Sequence, residues 1–403
     1  MNQNRISEVF EQGDGVLQLI PAWVPRGFNE PGKRLKLHPD DYFAYGMNRG
    51  GICERWLGSV TQALNGPDTT EHEGLSFVLA NRDTGEQILF KDFVKELGAA
   101  LIGSELQGNY GTWPAFAKLY DYEKPLFHHL HLPEEKAEAI GMHGKPEAYY
   151  YPPQYNSYMG RFPLTYFGFD PGTDKEEVKK RIRDYDKYDT RITELSRAYR
   201  IQLGTGWYTP AGVIHAPASV VTYEPQWNSD VNTIMENVTM GEVNPHHLLT
   251  DCQPESEKGN IDALMDQIDW EESTRPDYRE TYFRPPMPLK KRLEGLDEAW
   301  ITYANDWLAA KRVELAPLAE VVLTDAACYG ALVVQGHGIF STFPCEAPGL
   351  LRFGQQSGDE FFVSEASAGK GIRIKNNSAY EPLVILQNFA NNNSEVPDTI
   401  GRM

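Results

Sequence analysis

Three histidines and one glutamate give the clearest chemical signal in this 403-residue sequence. His129 and His131 are separated by a single residue, Glu147 follows 16 residues after His131, and His215 lies further along the chain. Side chains alternate along a strand, so a His-x-His pair places both imidazoles on one face. Three imidazole nitrogens and one carboxylate oxygen suit a divalent transition metal. The sequence therefore predicts one site for a divalent transition metal.

The segment that ends at His215 is more specific than the His-x-His pair, which is common by itself. From Gly204 the sequence reads Gly, five residues, Pro-x-Gly, two residues and His215. Glycine and proline in this arrangement form a turn between strands. The pattern resembles the second motif of the cupins, which are hollow jelly-roll barrels, although Ser219 stands where that motif has Asn. His128 alternates to the opposite strand face, so we expect it to lie outside the ligand set.

Composition indicates the broad class of protein. Hydrophobic residues make up 41% and aromatic residues 12% of the chain, which is typical of a globular protein. The 35 glycines and 27 prolines favour an all-β structure rich in turns. A net charge of -19 argues against nucleic acid or an anionic membrane as partner. The net charge says little about a small sugar-like substrate, because the potential at a local site can differ from that of the whole protein.

The cysteines and the N-terminus indicate the compartment. Cys53, Cys252, Cys328 and Cys345 show no paired spacing, which fits reduced thiols. No signal peptide is visible, and no apolar run approaches the length of a membrane span. These features together predict a cytoplasmic protein.

The order of predicted elements favours a mainly β protein with two jelly-roll barrels and a small helical insertion. The predicted ranges are 1–250 for the metal-binding barrel, about 174–198 for its helical insertion, 251–309 for a connecting segment, and 310–403 for the second barrel. His337 is the only histidine after residue 310, so we expect the second barrel to lack metal ligands. Helical spacing of apolar residues predicts helices at 91–101, 134–140, 174–200 and 261–268. Strands of the second barrel are predicted at 312–324, 329–334, 338–342, 360–363, 371–375 and 382–389.

Several ordered segments between residues 51 and 270 match one enzyme family. They are Phe116-Ala117-Lys118-Leu119-Tyr120-Asp121, Pro125-Leu126-Phe127-His128-His129-Leu130-His131, Gly144-Lys145-Pro146-Glu147-Ala148-Tyr149, the stretch 167–177, His215-Ala216 and Asn260-Ile261-Asp262-Ala263-Leu264. In these segments the chain resembles the type I mannose-6-phosphate isomerases, zinc-dependent cupins with two barrels and a helical insertion. A weaker match, Cys53-Glu54-Arg55-Trp56-Leu57-Gly58-Ser59, lies at the start. The resemblance implies zinc as cofactor and a sugar or sugar phosphate as substrate.

The resemblance also implies roles for single residues. His131, Glu147 and His215 fall on ligand positions, and His129 stands where the family has a Gln ligand. Glu224, nine residues after His215, falls on the position of an active-site Glu.

One departure concerns the substrate. The family has an active-site Arg ten residues after that Glu, and here this position is Ile234. Isoleucine offers neither the charge nor the donors with which arginine binds phosphate. We therefore expect a non-phosphorylated or atypical sugar, unless Arg275, Arg279 or Arg284 replaces the lost arginine.

The implied reaction is aldose–ketose isomerisation, which moves a proton between C1 and C2 through a cis-enediol. Glu224 is the candidate general base, and Lys145 the candidate acid or electrostatic stabiliser. Simpler interpretations remain open: Lys145 as a surface lysine, and Glu224 as a carboxylate that orients a ligand histidine.

A metal-dependent aldose–ketose isomerase is thus the leading hypothesis. A cupin dioxygenase is an alternative, since three histidines and a carboxylate also hold iron, nickel or manganese. A third hypothesis is a non-catalytic cupin that binds a metal or a sugar.

Overall fold

The structure is a computed structural model that describes residues 3–156, 163–289 and 293–400. Most of its ordered elements are strands, and nearly all strand pairs are antiparallel. The mainly β fold class predicted from the sequence is confirmed. Among the described residues, none of the helices combines the length and hydropathy that a membrane span requires.

Strands of the first half of the chain are β1 (Val16–Ile20), β2 (Ala22–Arg26), β3 (Gly51–Leu57), β4 (Phe77–Asn81), β5 (Glu86–Leu89), β6 (Ala115–Tyr120), β7 (His129–Leu130), β8 (Glu147–Tyr150), β9 (Leu164–Phe169), β10 (Ser196–Arg200), β11 (Gly206–Thr209), β12 (His215–Ala216), β13 (Thr222–Trp227), β14 (Thr233–Ile234), β15 (Val238–Thr239) and β16 (Glu242–Val243). Strands of the second half are β17 (Phe283–Arg284), β18 (Met287–Pro288), β19 (Leu296–Thr302), β20 (Ala309–Leu315), β21 (Glu320–Leu323), β22 (Tyr329–Gln335), β23 (His337–Phe340), β24 (Phe343–Glu346), β25 (Glu360–Val363), β26 (Ile372–Asn376) and β27 (Leu383–Phe389).

The α-helices are short and lie mostly in the connections. They are α1 (Gln3–Gln12), α2 (Phe90–Leu97), α3 (Ala99–Tyr110), α4 (Glu134–Glu138), α5 (Lys175–Arg183), α6 (His247–Thr250), α7 (Ile261–Met265), α8 (Trp270–Thr274), α9 (Tyr278–Tyr282) and α10 (Glu365–Lys370). Single turns of 3-10 helix occur at Pro39–Asp41, Met47–Arg49, Ile192–Leu195 and Glu255–Glu257.

The first barrel consists of two sheets that enclose the predicted metal site. One sheet has seven strands in the order β17-β11-β8-β13-β6-β3-β2, and the other has five in the order β10-β9-β12-β7-β14. Glu147 begins β8 in the seven-stranded sheet, whereas His129 and His215 begin β7 and β12 in the five-stranded sheet. The predicted ligands therefore come from both sheets and meet between them.

The second barrel includes strands from both ends of the chain. Its large sheet has the order β18-β19-β20-β27-β22-β25-β1-β4-β5, and its small sheet has the order β21-β26-β23-β24. Strands β1, β4 and β5 fall within the range 1–250 predicted for the first barrel, and β19 falls within the range 251–309 predicted as a connection. Sheet membership thus crosses the predicted boundaries, because long-range pairing such as Val16 with Val363 leaves no local pattern in the sequence.

The helix predicted at 174–200 is shorter than its apolar spacing suggested. Asp174 caps α5 by accepting a hydrogen bond from the Glu176 backbone N–H, and the helix ends at Arg183. The apolar residues beyond it lie in the 3-10 turn Ile192–Leu195 and in β10, which pairs with β9. The helix predicted at 91–101 is divided into α2 and α3 at Gly98. This glycine has a φ of +50°, which lies outside the range of a right-handed helix.

A buried arginine joins the two barrels. Arg55 on β3 donates to Asp359 at 2.7 and 2.9 Å and to Glu360 on β25 at 3.0 Å. Glu360 also accepts from the backbone N–H of Gly58, and burial raises its pKa to about 7. All three charged side chains are almost fully buried. Removing one member of such a cluster leaves the others as uncompensated charges in a dry interior.

We expect Arg55→Ala to lower the free energy of unfolding by about 3–5 kcal/mol, because Asp359 and Glu360 would lose their charge partner. Chemical denaturation monitored by tryptophan fluorescence measures this loss. Arg373→Ala is the matched control, since its pair with Glu320 is about half exposed and contributes little. Equal losses in the two variants would contradict a role for Arg55 in holding the barrels together.

Candidate metal centre

Three histidine rings converge inside the first barrel. His215 on β12 pairs directly with His129 on β7, and His131 follows β7 on the same face. Ring centroids lie 4.2 Å apart for His129 and His215, 5.0 Å for His129 and His131, and 5.1 Å for His131 and His215. Their potential ligand nitrogens all lie within 4.8 Å of one another. The His-x-His alternation predicted from the sequence therefore has the geometry of a metal-binding cluster.

Hydrogen bonds fix the orientation of each ring. The Nδ1 atoms of His129, His131 and His215 lie 2.9, 2.7 and 2.9 Å from the carbonyl oxygens of Phe127, Val231 and Val213. A carbonyl oxygen only accepts, so each Nδ1 carries the proton and each Nε2 keeps a free lone pair. Backbone carbonyls commonly hold metal-ligating histidines in this way.

Glu147 completes a set of acceptors that face one another. Its Oε2 lies 3.0 Å from Nε2 of His131, and its Oε1 lies 3.0 Å from Nε2 of His215. Nε2 of His215 is buried and has no hydrogen-bond donor, although this carboxylate oxygen is close. Lys145 donates to His131 and Glu147, but His215 Nε2 has no donor, and a cation among the three imidazoles beside Glu147 would satisfy it. The residues present therefore fit a divalent metal ion.

Burial keeps the imidazoles of His129 and His131 neutral. It lowers the pKa of His131 to about 4, with the nearby Lys145 ammonium adding to the effect. For His129, burial and the neighbouring His215 and His131 lower the pKa well below its usual range. Neutral imidazole is the form that coordinates metal.

Two lysines and a second glutamate lie beside the predicted ligands. Nζ of Lys145 is 2.6 Å from Glu147 Oε2, 2.9 Å from His131 Nε2 and 3.3 Å from Glu224 Oε1. Nζ of Lys118 is 3.1 Å from the same Glu224 oxygen. Burial and the charge of Glu147 raise the pKa of Glu224 to about 8. Burial opposes the charge of Lys118, but Glu224 and Glu54 raise its pKa overall. Lys145 is thus a buried group at the centre of the cavity and not a surface lysine.

Sequence reasoning missed a further charged group in the same cavity, built around Arg26 at the end of β2. Arg26 donates to both oxygens of Glu54 and to both oxygens of Asp230, and also to Asn65. All five of its N–H donors are therefore used. Burial opposes the charge of Glu54, but Arg26 and Lys118 lower its pKa. Arg26 carries no motif of its own, and only the weak resemblance around Glu54 pointed to this part of the cavity.

The three arginines proposed from the sequence as phosphate-binding alternatives to position 234 lie elsewhere. Arg284 donates to the backbone carbonyls of Thr281, Tyr303 and Ala304, and Arg275 pairs with Glu272 and Asp277. Arg279 lies over the ring of Phe283. None of the three lines the cavity among the described residues.

Ile234 lies on β14, the edge strand of the five-stranded sheet. It is buried on β14 and pairs with His129, so the two side chains project from the same face of the sheet. His128 points away from this face and binds Glu236 through Nδ1 at 2.9 Å. Tyr149 donates to Glu147 in the cavity.

Tyr151 and Asp121 belong to the packing around the cavity. Tyr151 packs in the same aromatic cluster as Tyr149, whereas Tyr150 packs between the barrels. Asp121 forms a buried ion pair with Arg34.

No protein-family model and no characterised sequence matches this chain. Solved structures with a similar fold include mannose 6-phosphate isomerase from Bacillus subtilis, with 15% identity, a TM-score of 0.63, and coverage of 93% of this chain and 99% of that one. A variant of phosphomannose isomerase from Salmonella typhimurium shares 12% identity with a TM-score of 0.62 and the same coverage. A mannose 6-phosphate isomerase bound with zinc and yttrium shares 13% identity with a TM-score of 0.58, again over 93% and 99%. These similarities confirm the two-barrel cupin fold.

We expect His131→Ala and His215→Ala to lose bound metal, because each removes one converging nitrogen. The loss of affinity should exceed the roughly 10- to 100-fold effect of removing an outer hydrogen-bond partner of a ligand. Elemental analysis after dialysis gives the metal content per chain. His143→Ala is the matched control, since this imidazole is 64% exposed and binds Glu134 at the surface. Unchanged metal content in the two cavity variants would refute the ligand assignment.

Proposed function

We propose that this protein is a divalent-metal-dependent aldose–ketose isomerase. Its metal, zinc in the first place, would be held by His129, His131, Glu147 and His215. The observation that carries the proposal is the buried contact of Lys145 with both Glu147 and Glu224, directly beside the three imidazoles. This contact combines a cation site with the two proton-transfer groups that the reaction needs.

When bound, the ion supplies a Lewis acid that polarises the sugar carbonyl and stabilises developing negative charge. Glu224 takes the proton from C2 of the open-chain aldose, and Lys145 gives a proton to the C1 oxygen, which produces the enediol. Lys145 then accepts the proton of the C2 hydroxyl, and Glu224 returns its proton to C1 to complete the ketose. Each side chain thereby ends in the protonation state in which it began.

The contacts of Glu224 favour this role over the orientation of a ligand histidine. Its carboxylate lies between the ammonium groups of Lys118 and Lys145, and neither of these is an imidazole. The ion pairs with Lys118 and Lys145 fix the position of the Glu224 carboxylate. A general base in a fixed position raises the rate of proton transfer by about 10²–10⁴-fold.

The charges of the cavity favour a sugar without phosphate. Lys118 and Lys145 are matched with carboxylates, and every donor of Arg26 is occupied. Ile234 offers no charge at the position opposite His129. A phosphate dianion would therefore meet no free guanidinium among the described residues of the cavity.

Glu224→Gln should abolish exchange of the C2 proton with solvent while leaving the metal bound, because the amide cannot accept that proton. The expected loss is about 10²-fold or more. Deuterium incorporation from D2O, followed by NMR, measures exchange, and elemental analysis of the same sample measures metal. Glu298→Gln in the second barrel is the control for loss of a buried carboxylate elsewhere. Exchange at the parental rate would leave Glu224 with a structural role only.

A substrate comparison tests the proposed preference. With metal-loaded protein, free aldoses such as mannose should exchange at C2 with a higher kcat/KM than mannose 6-phosphate, because no free cation binds the phosphate. A faster reaction with the phosphorylated sugar would contradict the preference for neutral sugars. Oxygen consumption without exchange would instead support the dioxygenase.

A further inference from the structure

A large groove lies directly outside the metal-binding cavity. Its walls are the loop 62–69, the segment 139–142 after α4, and the segment 248–255 that includes the end of α6. The groove encloses about 810 Å³, whereas the cavity beside the histidines encloses about 30 Å³. The smaller space holds roughly two water molecules. It has room for the reacting C1–C2 end of an open-chain sugar, so the rest of a substrate must lie outside it.

Two residues line both spaces and connect them. Asp230 is fully engaged, since it accepts from Arg26 and from the backbone N–H of Leu64. The side-chain amide of Asn232 is different: it is half-buried, and no hydrogen bond joins it to the described part of the chain. A free amide with two donors and one acceptor oxygen at this junction suits the hydroxyl groups of a sugar.

The chemistry of the groove points to an uncharged occupant. None of the described residues that line it is Lys, Arg or His, and it contains the carboxylates of Asp251 and Glu255. Apolar side chains such as Leu64, Met142 and Leu248 alternate with amide and hydroxyl groups. A phosphate would be repelled there, whereas a sugar ring has apolar faces and a rim of hydroxyls that match such a surface.

We propose that the substrate is a reducing disaccharide, or a longer neutral saccharide, and not a single sugar. This inference rests on the isomerase function proposed above. The reducing sugar presents C1 and C2 to the predicted metal, Asn232 binds a hydroxyl group at the junction, and the second ring lies in the groove against Leu64. Binding energy from the second ring thus determines specificity without contact with the reacting atoms.

The test compares C2 deuterium exchange for mannose and for β-1,4-mannobiose, and for glucose and cellobiose, with metal-loaded protein. In at least one pair, kcat/KM should be about tenfold higher for the disaccharide. Leu64→Trp should remove this advantage by narrowing the groove while leaving exchange of the monosaccharide unchanged. Leu64 is 51% exposed, so the substitution is compatible with folding. Leu318→Trp, at an exposed leucine of the second barrel, is the matched control.

Asn232→Ala should lower kcat/KM for the disaccharide, because it removes the proposed hydroxyl contact. Equal kcat/KM for both sugars of each pair, or equal effects of Leu64→Trp on both, would overturn the groove proposal and leave the isomerase standing. Absence of exchange with every sugar would overturn the isomerase instead. In that case calorimetric titration with mannobiose decides: binding that Leu64→Trp removes supports the groove, and no binding overturns it.

Discussion

The structure of the first barrel depends on how charge is balanced in a space that water hardly enters. Four carboxylates, those of Glu54, Glu147, Glu224 and Asp230, meet three cationic side chains there, those of Arg26, Lys118 and Lys145. If all of them are ionised, one negative charge is left uncompensated, and the pKa of Glu224, raised by burial and by Glu147, reflects this excess. A divalent ion would reverse this imbalance to one positive charge, which suits a reaction that develops negative charge on oxygen. The same ion would satisfy the buried Nε2 of His215 that faces Glu147, so charge balance and the geometry of the histidines both fit a divalent cation.

This charge balance requires the two sheets of the first barrel, whose strands are distant in the sequence, to keep a fixed position relative to each other. The histidines come from one sheet, and Glu147 and Glu224 come from the other, so any sliding of the sheets would separate the ligands. The second barrel supports the seven-stranded sheet on the face away from the cavity. There, Tyr150 and Tyr223 of the seven-stranded sheet pack against apolar residues of the second barrel. Arg55 adds a charged connection across the same boundary, and strand β1 crosses from the N-terminus into the sheet of the second barrel. The second barrel thus stabilises the site although it lies outside the cavity.

Local rules in the sequence predicted the parts of the site that depend on local geometry. His129 and His131 were predicted to share a face because strand alternation depends only on neighbouring residues. Arg26, by contrast, reaches Asp230 across more than two hundred residues of chain, and no pattern within either segment reveals this contact. The helix predicted at 174–200 is too long for a similar reason. Apolar residues recur at helical spacing, but the last of them belong to β10, where pairing with β9 outweighs helical propensity. Sheet membership of β1, β4 and β5 likewise depends on pairing that only the folded chain establishes.

The uncharged side chain of Ile234 connects charge balance with specificity. An arginine opposite His129 would add a fourth cationic side chain to the cavity, and its planar fork would bind an anionic group of the substrate. Isoleucine removes that possibility, and Arg26 does not restore it, because Glu54, Asp230 and Asn65 occupy all of its donors. The remaining positive charge of the cavity is committed to carboxylates or, with the metal, to the reacting oxygens. Under the proposed function, recognition of the rest of the substrate would rely on hydrogen bonds and apolar contact, which are the interactions that the groove beside Asn232 offers.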